Sequence, residues 1–346
     1  MDNQTHASRP DAAAADRVAA DPPGVSRINP ADPAAAYYEL LARLRRPLTL
    51  REIMIAPVRS GYIGAAGAPP PGPLPPAAAT LYPEVRVSEV AVPGPAGPIR
   101  CQVFAPPGNG PFPMLLYAHG GGFTVGSSED TAYLTSRLAQ EAGVLVVSLN
   151  YRLAPEWPFP AALEDCLAAL DWMRGGGAAA FGGDPERIAV AGDSAGGNFA
   201  AALPLYARDH GARPPEAVLL LCPITDFEVE KHESFERLAP LGIIYDTAFV
   251  GFVRGAYVVH RRLWGHPHVS PAGGDLAGYP PTLVVSGEAD PMIDDNRAFV
   301  ARVRAAGGRA EHFVRPAMPH GYYFFPKLLK EGDEAMEAAS AFLRSY

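Results

Sequence analysis

An α/β fold built around a mostly parallel sheet of eight strands is what the sequence predicts, and three features predict it. Short apolar runs of buried type recur from residue 82 onward, helix-length segments separate them, and turn residues punctuate the joins. Strands alternating with helices imply parallel crossovers and a sheet covered on both faces. With 346 residues the chain can bury a large core, as one big domain or one domain with an appendage.

The elements follow in chain order. Residues 1–26 are rich in Ala, Asp and Pro, the composition of a mobile end. The stretch "DPAAAYYELLARLRR" (32–46) sets Tyr37, Leu40, Leu41 and Leu44 at helical spacing, and 48–62 reads as a second short helix. "GAPPPGPLPPAAA" (67–79) is too proline-rich for helix or sheet and reads as an extended tether. "EVRVSEVAV" and "IRCQVFA" alternate as two antiparallel strands joined near "PGPAGP". Six apolar runs complete the sheet, at 114–118, 144–149, 188–191, 217–222, 282–287 and 310–314. Helices are predicted at 130–142, 160–174, 195–209, 293–306 and 334–345, the third kinked or ended at Pro204.

One connection, residues 226–280, is too long for a simple crossover, and a loop of that length is usually functional. Its segment "YDTAFVGFVRGAYV" (245–258) reads as a helix. Together with 27–62 it is expected to form a helical cap over the C-terminal edge of the sheet, where open α/β sheets bind ligands. The chain thus divides into residues 1–80, holding tail, cap helices and linker, and a sheet domain, 81–346, with its cap insertion at about 226–268.

Bulk properties exclude some classes. With 29 basic and 37 acidic residues, the net charge of −8 argues against a nucleic-acid partner, which needs a basic face, and against adsorption to an anionic membrane. No uncharged apolar run approaches the length of a membrane span, and the N-terminus carries no apolar core of a signal peptide, so a cytoplasmic protein is expected. Cys101, Cys166 and Cys222 are too few and scattered for a disulfide framework or a zinc cluster, and read as reduced core residues. "HPH" (266–268) with His260 matches no common zinc spacing, so no metal or cofactor is expected. His6, His210, His232 and His312 read as solvent or packing residues.

Two motifs carry chemistry. "GDSAG" (192–196) fits G-x-S-x-G between a predicted strand and a helix. A strand that turns directly into a helix strains the serine backbone and tolerates only small neighbours, which leaves the Ser194 hydroxyl exposed beside a positive helix end. "HGGGF" (119–123) follows the third predicted strand, and its glycines let bare N–H groups approach a ligand. Gly121 and Gly122, joined by Ala195, are the expected donors to an oxyanion, while His119 reads as structural. Asp290 follows the strand 282–287 and His320 lies in the loop after the last strand, so both reach the sheet edge that holds Ser194. Their order, Ser, Asp, His, is that of α/β-hydrolases. Asp294 and Asp295 are rival acids that a helix carries away, and Glu288 reads as a neighbour of the site.

With "NYRLAPEWPFPAALEDC" (150–166), "GDPERIAVAGDSAGGN" (183–198), "PPTLVVSGEADPMIDD" (280–295) and "MPHGYYF" (318–324), these blocks resemble the hormone-sensitive lipase family of α/β-hydrolases, over roughly residues 82–346. The resemblance implies a carboxylesterase with Ser194 as nucleophile, His320 as base and Asp290 orienting the histidine. It implies a small-molecule ester as the partner, and a possible homodimer, since relatives are often dimers. Phe123, Asp193, Tyr322, Phe249 and Phe252 are the expected substrate-binding residues, with a preference for short to medium acyl chains. Arg152, Glu156 and Asp165 read as a structural ion-pair network. Phe199 stands where the family often has Leu, and Tyr322 where Phe usually follows "HG". The alternatives on the same fold are acyl transfer to an acceptor other than water, amide cleavage, or a small-molecule receptor; plant gibberellin receptors resemble this family but lack the histidine that is intact here as His320.

Overall fold

The computed structural model describes residues 81–241, 247–324 and 329–346. The two helices predicted within 27–62 and the tether at 67–79 lie outside the described residues. Eight strands form one sheet: β1 (Arg86–Val92), β2 (Ile99–Ala105), β3 (Phe112–Ala118), β4 (Leu145–Leu149), β5 (Gly183–Asp193), β6 (Ala217–Leu221), β7 (Thr282–Gly287) and β8 (Ala310–Arg315). Their spatial order is β1-β2-β4-β3-β5-β6-β7-β8. The β1–β2 and β2–β4 pairs are antiparallel and the remaining five parallel.

Every residue of β4, β6 and β7 is buried, as expected for strands covered on both faces. Successive side chains go to opposite faces and join two separate cores. Leu116, Val147, Val190, Leu220 and Val284 face one core with Leu163, Phe199 and Phe299. Those three come from helices α2 (Ala161–Arg174), α3 (Ala195–Asp209) and α6 (Ile293–Ala305). Leu115, Tyr117, Val146, Leu219 and Val285 face the other, against Leu134 and Leu138 of α1 (Ala132–Ala142) and Met336 and Phe342 of α7 (Lys330–Arg344). The insertion between β6 and β7 holds α4 (Glu233–Leu238) and α5 (Thr247–Tyr257), the second being the helix predicted at 245–258.

Beyond shifts of one or two residues at element ends, the structure differs from the predicted elements in three places. β5 starts five residues before the apolar run, because Gly183 pairs with Phe112 ahead of a register shift between Phe112 and Met114. α7 begins at Lys330 rather than at 334. α3 neither ends nor breaks at Pro204 but runs on to Asp209. An interior proline costs about 3 kcal/mol, and here every residue from Ala195 to Ala207 is buried, so packing on all sides outweighs the lost hydrogen bond. Among the described residues no helix is long and apolar enough to cross a membrane.

Candidate active site

Ser194 sits at the turn between β5 and α3 with φ 55° and ψ −119°, a conformation that side-chain-bearing residues rarely adopt. Its N–H donates to the Leu221 carbonyl at 2.9 Å, and its carbonyl accepts from Asn198 N–H at 3.1 Å. The cramped corner explains its glycines. A Cβ on Gly192 would lie 2.2 Å from the Gly196 carbonyl oxygen, and one on Gly196 would lie 2.0 Å from that of Ala118. Strain of this kind costs on the order of 1–3 kcal/mol and persists only where the surroundings enforce it. Here β3, β6 and α3 do so together.

Asp290 follows β7 and is fully buried. Its Oδ1 accepts from Met292 N–H at 2.9 Å, and its Oδ2 lies 2.8 Å from His320 Nδ1. A carboxylate at that position can only accept, so Nδ1 carries the proton and Nε2 is left as the basic nitrogen. The loops bearing the two residues are joined by Ala289 N–H donating to the Met318 carbonyl at 3.0 Å. Gly287 admits that approach, since a Cβ there would stand 2.0 Å from the same oxygen. Burial raises the Asp193 carboxyl to about 6, and His320 lies close enough to offset part of that rise. The thiol of Cys222, next to the Leu221 that holds Ser194, lies with Asp290 and His320 inside a 4.8 Å span. Ser194 follows β5, Asp290 follows β7 and His320 follows β8, so all three lie beyond the C-terminal ends of parallel strands. The Cys222, Asp290 and His320 atoms include ligand types that suit a metal ion. The carboxylate and imidazole are already bonded to each other, however, and burial pushes the Cys222 thiol pKa well up, against the thiolate a metal needs.

The three glycines after His119 are required for three different reasons. A Cβ on Gly120 would meet Asp193 Oδ2 at 2.2 Å. Gly121 has φ 123° and would collide with the Val125 carbonyl. Gly122 has φ 58°, and its Cβ would stand 2.9 Å from Val253 Cγ1 and 3.1 Å from Phe249 Cζ, both on cap helix α5. Among the described residues, the N–H groups of Gly121, Gly122 and Ala195 donate to no backbone carbonyl. His119 is buried, with Nδ1 2.6 Å from the Gly120 carbonyl and its ring stacked on Tyr151 at 4.2 Å. Burial lowers its pKa to about 4, which keeps it a neutral packing residue.

Several expected site residues are placed differently. The Asp193 carboxylate accepts from Tyr117 Oη at 2.8 Å and Gly120 N–H at 3.0 Å inside the fold. Phe123 is buried, stacked on Tyr257 at 4.4 Å and edge-on to Phe199 at 5.5 Å, so it packs the glycine loop against cap and core. Phe199 also meets Tyr151 edge-on at 4.9 Å, which gives the ring at this position its partners. Tyr322 is buried in the core on the α7 face of the sheet. Phe252 is half-buried against the core, which leaves Phe249, over Gly122, as the expected pocket residue that touches the glycine loop. Glu288 points outward and pairs with Arg297 at 3.6 Å. Asp294 accepts from Ser234 N–H at 2.9 Å, and Asp295 from Thr225 N–H at 2.7 Å, so both bind the cap base instead of His320. Arg152 pairs with Asp165 and Glu164 at 2.9 Å, whereas Glu156 is exposed and outside that network. Of the "HPH" histidines, His268 Nε2 lies 2.9 Å from Asp209 Oδ2 and its ring packs edge-on to Tyr206. The three cysteines are free and buried. Sequence reasoning missed Tyr117 and Val253, since nothing in a single apolar run marks which member reaches a loop.

A family model described as the α/β-hydrolase fold matches residues 115–324. A carboxylesterase of Mycobacterium tuberculosis is 36% identical over 271 residues, 76% of this chain and 84% of that one. An acetyl-hydrolase of Streptomyces hygroscopicus is 37% identical over 231 residues, 67% of this chain and 75% of its own. Among solved structures, an esterase of Pyrobaculum calidifontis superposes with a TM-score of 0.80 at 31% identity, covering 90% of this chain and 97% of that one.

Proposed function

The chain belongs to the hormone-sensitive lipase family of α/β-hydrolases, and from that premise we propose that it is a serine carboxylesterase, cleaving short- to medium-chain acyl esters through an acyl-enzyme. The observation that carries the reading is the buried His320–Asp290 pair, 2.8 Å apart, at the sheet end where Ser194 occupies its strained turn.

Nε2 of His320 takes the Ser194 hydroxyl proton as Oγ attacks the ester carbonyl. The oxyanion that forms is met by the N–H groups of Gly121, Gly122 and Ala195. Collapse expels the alcohol, which leaves with the proton held on His320, and the acyl group stays on Ser194. Water then repeats the sequence with His320 as base, releasing the acid and restoring the serine. Throughout, Asp290 fixes the tautomer and stabilises the imidazolium.

The preference for short acyl chains is supported by the cap: Val253 and Phe249 would stand against any side chain at Gly122, so α5 closes down on the glycine loop. Hydrolysis of p-nitrophenyl esters from C2 to C16, by wild type and Ser194→Ala, tests both parts. Turnover should fall by roughly 10⁶-fold in the variant, as in serine hydrolases stripped of the nucleophile, and wild type should favour the butyrate over the palmitate. Equal turnover by the two proteins would defeat the mechanism; faster cleavage of the palmitate would defeat the chain-length reading alone.

A further inference from the structure

We propose that Asp193, the residue before the nucleophile, is a positioning residue that locks the glycine loop 119–122 onto the Ser194 turn, so that the loop's N–H groups are held where the oxyanion forms; the role rests on the serine-esterase reading above.

Asp193 is the last residue of β5 and is buried. Its neighbour β3 runs parallel, with Ala118 beside Gly192, so the chain leaves β3 into the glycine loop alongside the nucleophile turn. The Asp193 carboxylate spans this gap. One oxygen, Oδ1, takes both the Tyr117 hydroxyl at 2.8 Å and the Gly120 N–H at 3.0 Å. The other, Oδ2, occupies the space a side chain at 120 would need, 2.2 Å from a Cβ built there. Gly120 has no positive φ, so the carboxylate's close approach is what requires glycine at this position. Fixing the Gly120 peptide orients the two that follow it, whose N–H groups the mechanism uses. A Leu at 193 could fill the space but would leave the Gly120 N–H and the Tyr117 hydroxyl unpaired in a dry interior.

The charge of Asp193 has a second effect. The titratable groups around it are Tyr117 on β3, Tyr151 after β4, and Tyr323 and His320 after β8. Burial pushes the three tyrosines well above their ordinary range, so they stay neutral around the carboxylate. Burial also raises the Asp193 carboxyl to about 6, against the pull of Tyr117, Gly120 and His320. In its anionic form it favours a positive charge on a neighbouring imidazole.

Kinetics of p-nitrophenyl butyrate hydrolysis, inhibition by an alkyl trifluoromethyl ketone as tetrahedral analogue, and melting temperatures are compared for wild type, Asp193→Ala, Asp193→Asn, Tyr117→Phe and Ser194→Ala. In Asp193→Ala, kcat should fall about 10²-fold, KM should stay within about 3-fold, and affinity for the ketone should fall in parallel with kcat. Asp193→Asn keeps an amide oxygen for both hydrogen bonds. It should hold kcat within about 10-fold of wild type while the acid limb of kcat/KM moves to lower pH. Tyr117→Phe should lose kcat by a few-fold, about the effect of one neutral hydrogen bond, without loss of folding. An Asp193→Ala enzyme with wild-type kcat and ketone affinity, or a loss confined to KM, would overturn the proposal. Should that variant not fold, an Asp193→Asn enzyme with ketone affinity down by 10²-fold, or an unmoved acid limb, would overturn it instead. Residual turnover in Ser194→Ala would bring down the esterase reading; an inert Ser194→Ala beside an unaffected Asp193→Ala would bring down only this proposal.

Discussion

The Asp290 carboxylate divides its two oxygens between different donors: Oδ2 takes His320 Nδ1 at 2.8 Å, and Oδ1 takes the Met292 N–H at 2.9 Å. This division makes Asp290→Asn informative. The Met292 N–H demands an acceptor, so the amide must place its oxygen there and turn its NH₂ group toward His320. Nδ1 then has to accept, the proton moves to Nε2, and the base is lost through the wrong tautomer. The expected result is a kcat about 10⁴-fold lower at neutral pH, the scale of the same change in other serine hydrolases. Burial and packing at 290 are preserved, so the melting temperature should change little. Steady-state kinetics and a thermal melt on the same preparation check both statements.

The cap sets a second expectation. Gly122 combines φ 58° with a Cβ position 2.9 Å from Val253 Cγ1 and 3.1 Å from Phe249 Cζ. Gly122→Ala therefore meets backbone strain and a collision together, and should lose kcat/KM by about 10²-fold as the loop shifts away from the oxyanion. Val253→Ala removes two methyl groups from the same contact and opens room over the glycine loop. It should raise the ratio of octanoate to butyrate cleavage by roughly 10-fold, the lower end of what a methylene-sized change in a pocket gives. An unchanged ratio would place the acyl chain elsewhere than under α5.

Much of the molecule was legible because its signals are local. β4, β6 and β7 are buried on both faces and so appear as unbroken apolar runs. The Ser194 turn announces itself because steric necessity at 192 and 196 leaves only glycine. What stayed hidden depends on contacts between distant segments. Pro204 could not reveal that its helix is enclosed on every side. Glu156 and Glu164 both lie near Arg152 in sequence, and only the fold decides that Glu164 bears the ion pair. Phe123 looked like a pocket wall because aromatic residues after a glycine loop can serve either role; its stacking on Tyr257 depends on where the cap lands.

Asn198 links the nucleophile helix to both ends of the cap insertion. Its Nδ2 donates to the Ile224 carbonyl at 2.8 Å and to the Val269 carbonyl at 2.8 Å, with no exposed surface. Asn198→Ala strands two buried carbonyls that no solvent can reach. The expected cost is about 2 kcal/mol or more, measured as a lower urea midpoint at an unchanged slope. A change in slope instead would mean that the cap detaches before the sheet unfolds.

Three buried groups and the half-buried His312 oppose one another in the acid range, and His312 shows how to separate them. Its Nε2 donates to Ser286 Oγ at 3.0 Å, and that hydroxyl donates to Asn296 Oδ1 at 2.7 Å. Burial, reinforced by the charges of Arg297 and Arg304, lowers the His312 pKa from 6.5 to about 4. Between those values the unfolded chain takes up a proton that the folded protein refuses. The contribution of His312 is therefore complete above pH 6.5 and is lost as pH falls toward 4. His119, also lowered to about 4 by burial, acts in the same direction. Asp193 and Asp295 act the other way: burial raises them from 3.8 to about 6 and about 7, so the folded state holds protons that the unfolded chain releases. Their contribution to stability falls as pH rises from about 4 toward 6 and 7. Between pH 4 and 6 the two histidines and the two aspartates thus pull stability in opposite directions. His312→Gln removes one histidine from that balance while its amide can still donate to Ser286. The stability of wild type minus that of the variant should therefore climb with pH by up to about 1.4 kcal/mol per unit across pH 4 to 6.5. Urea denaturation of both proteins at half-unit steps measures it, and two parallel curves would show that His312 is protonated in the folded protein as readily as in the unfolded chain.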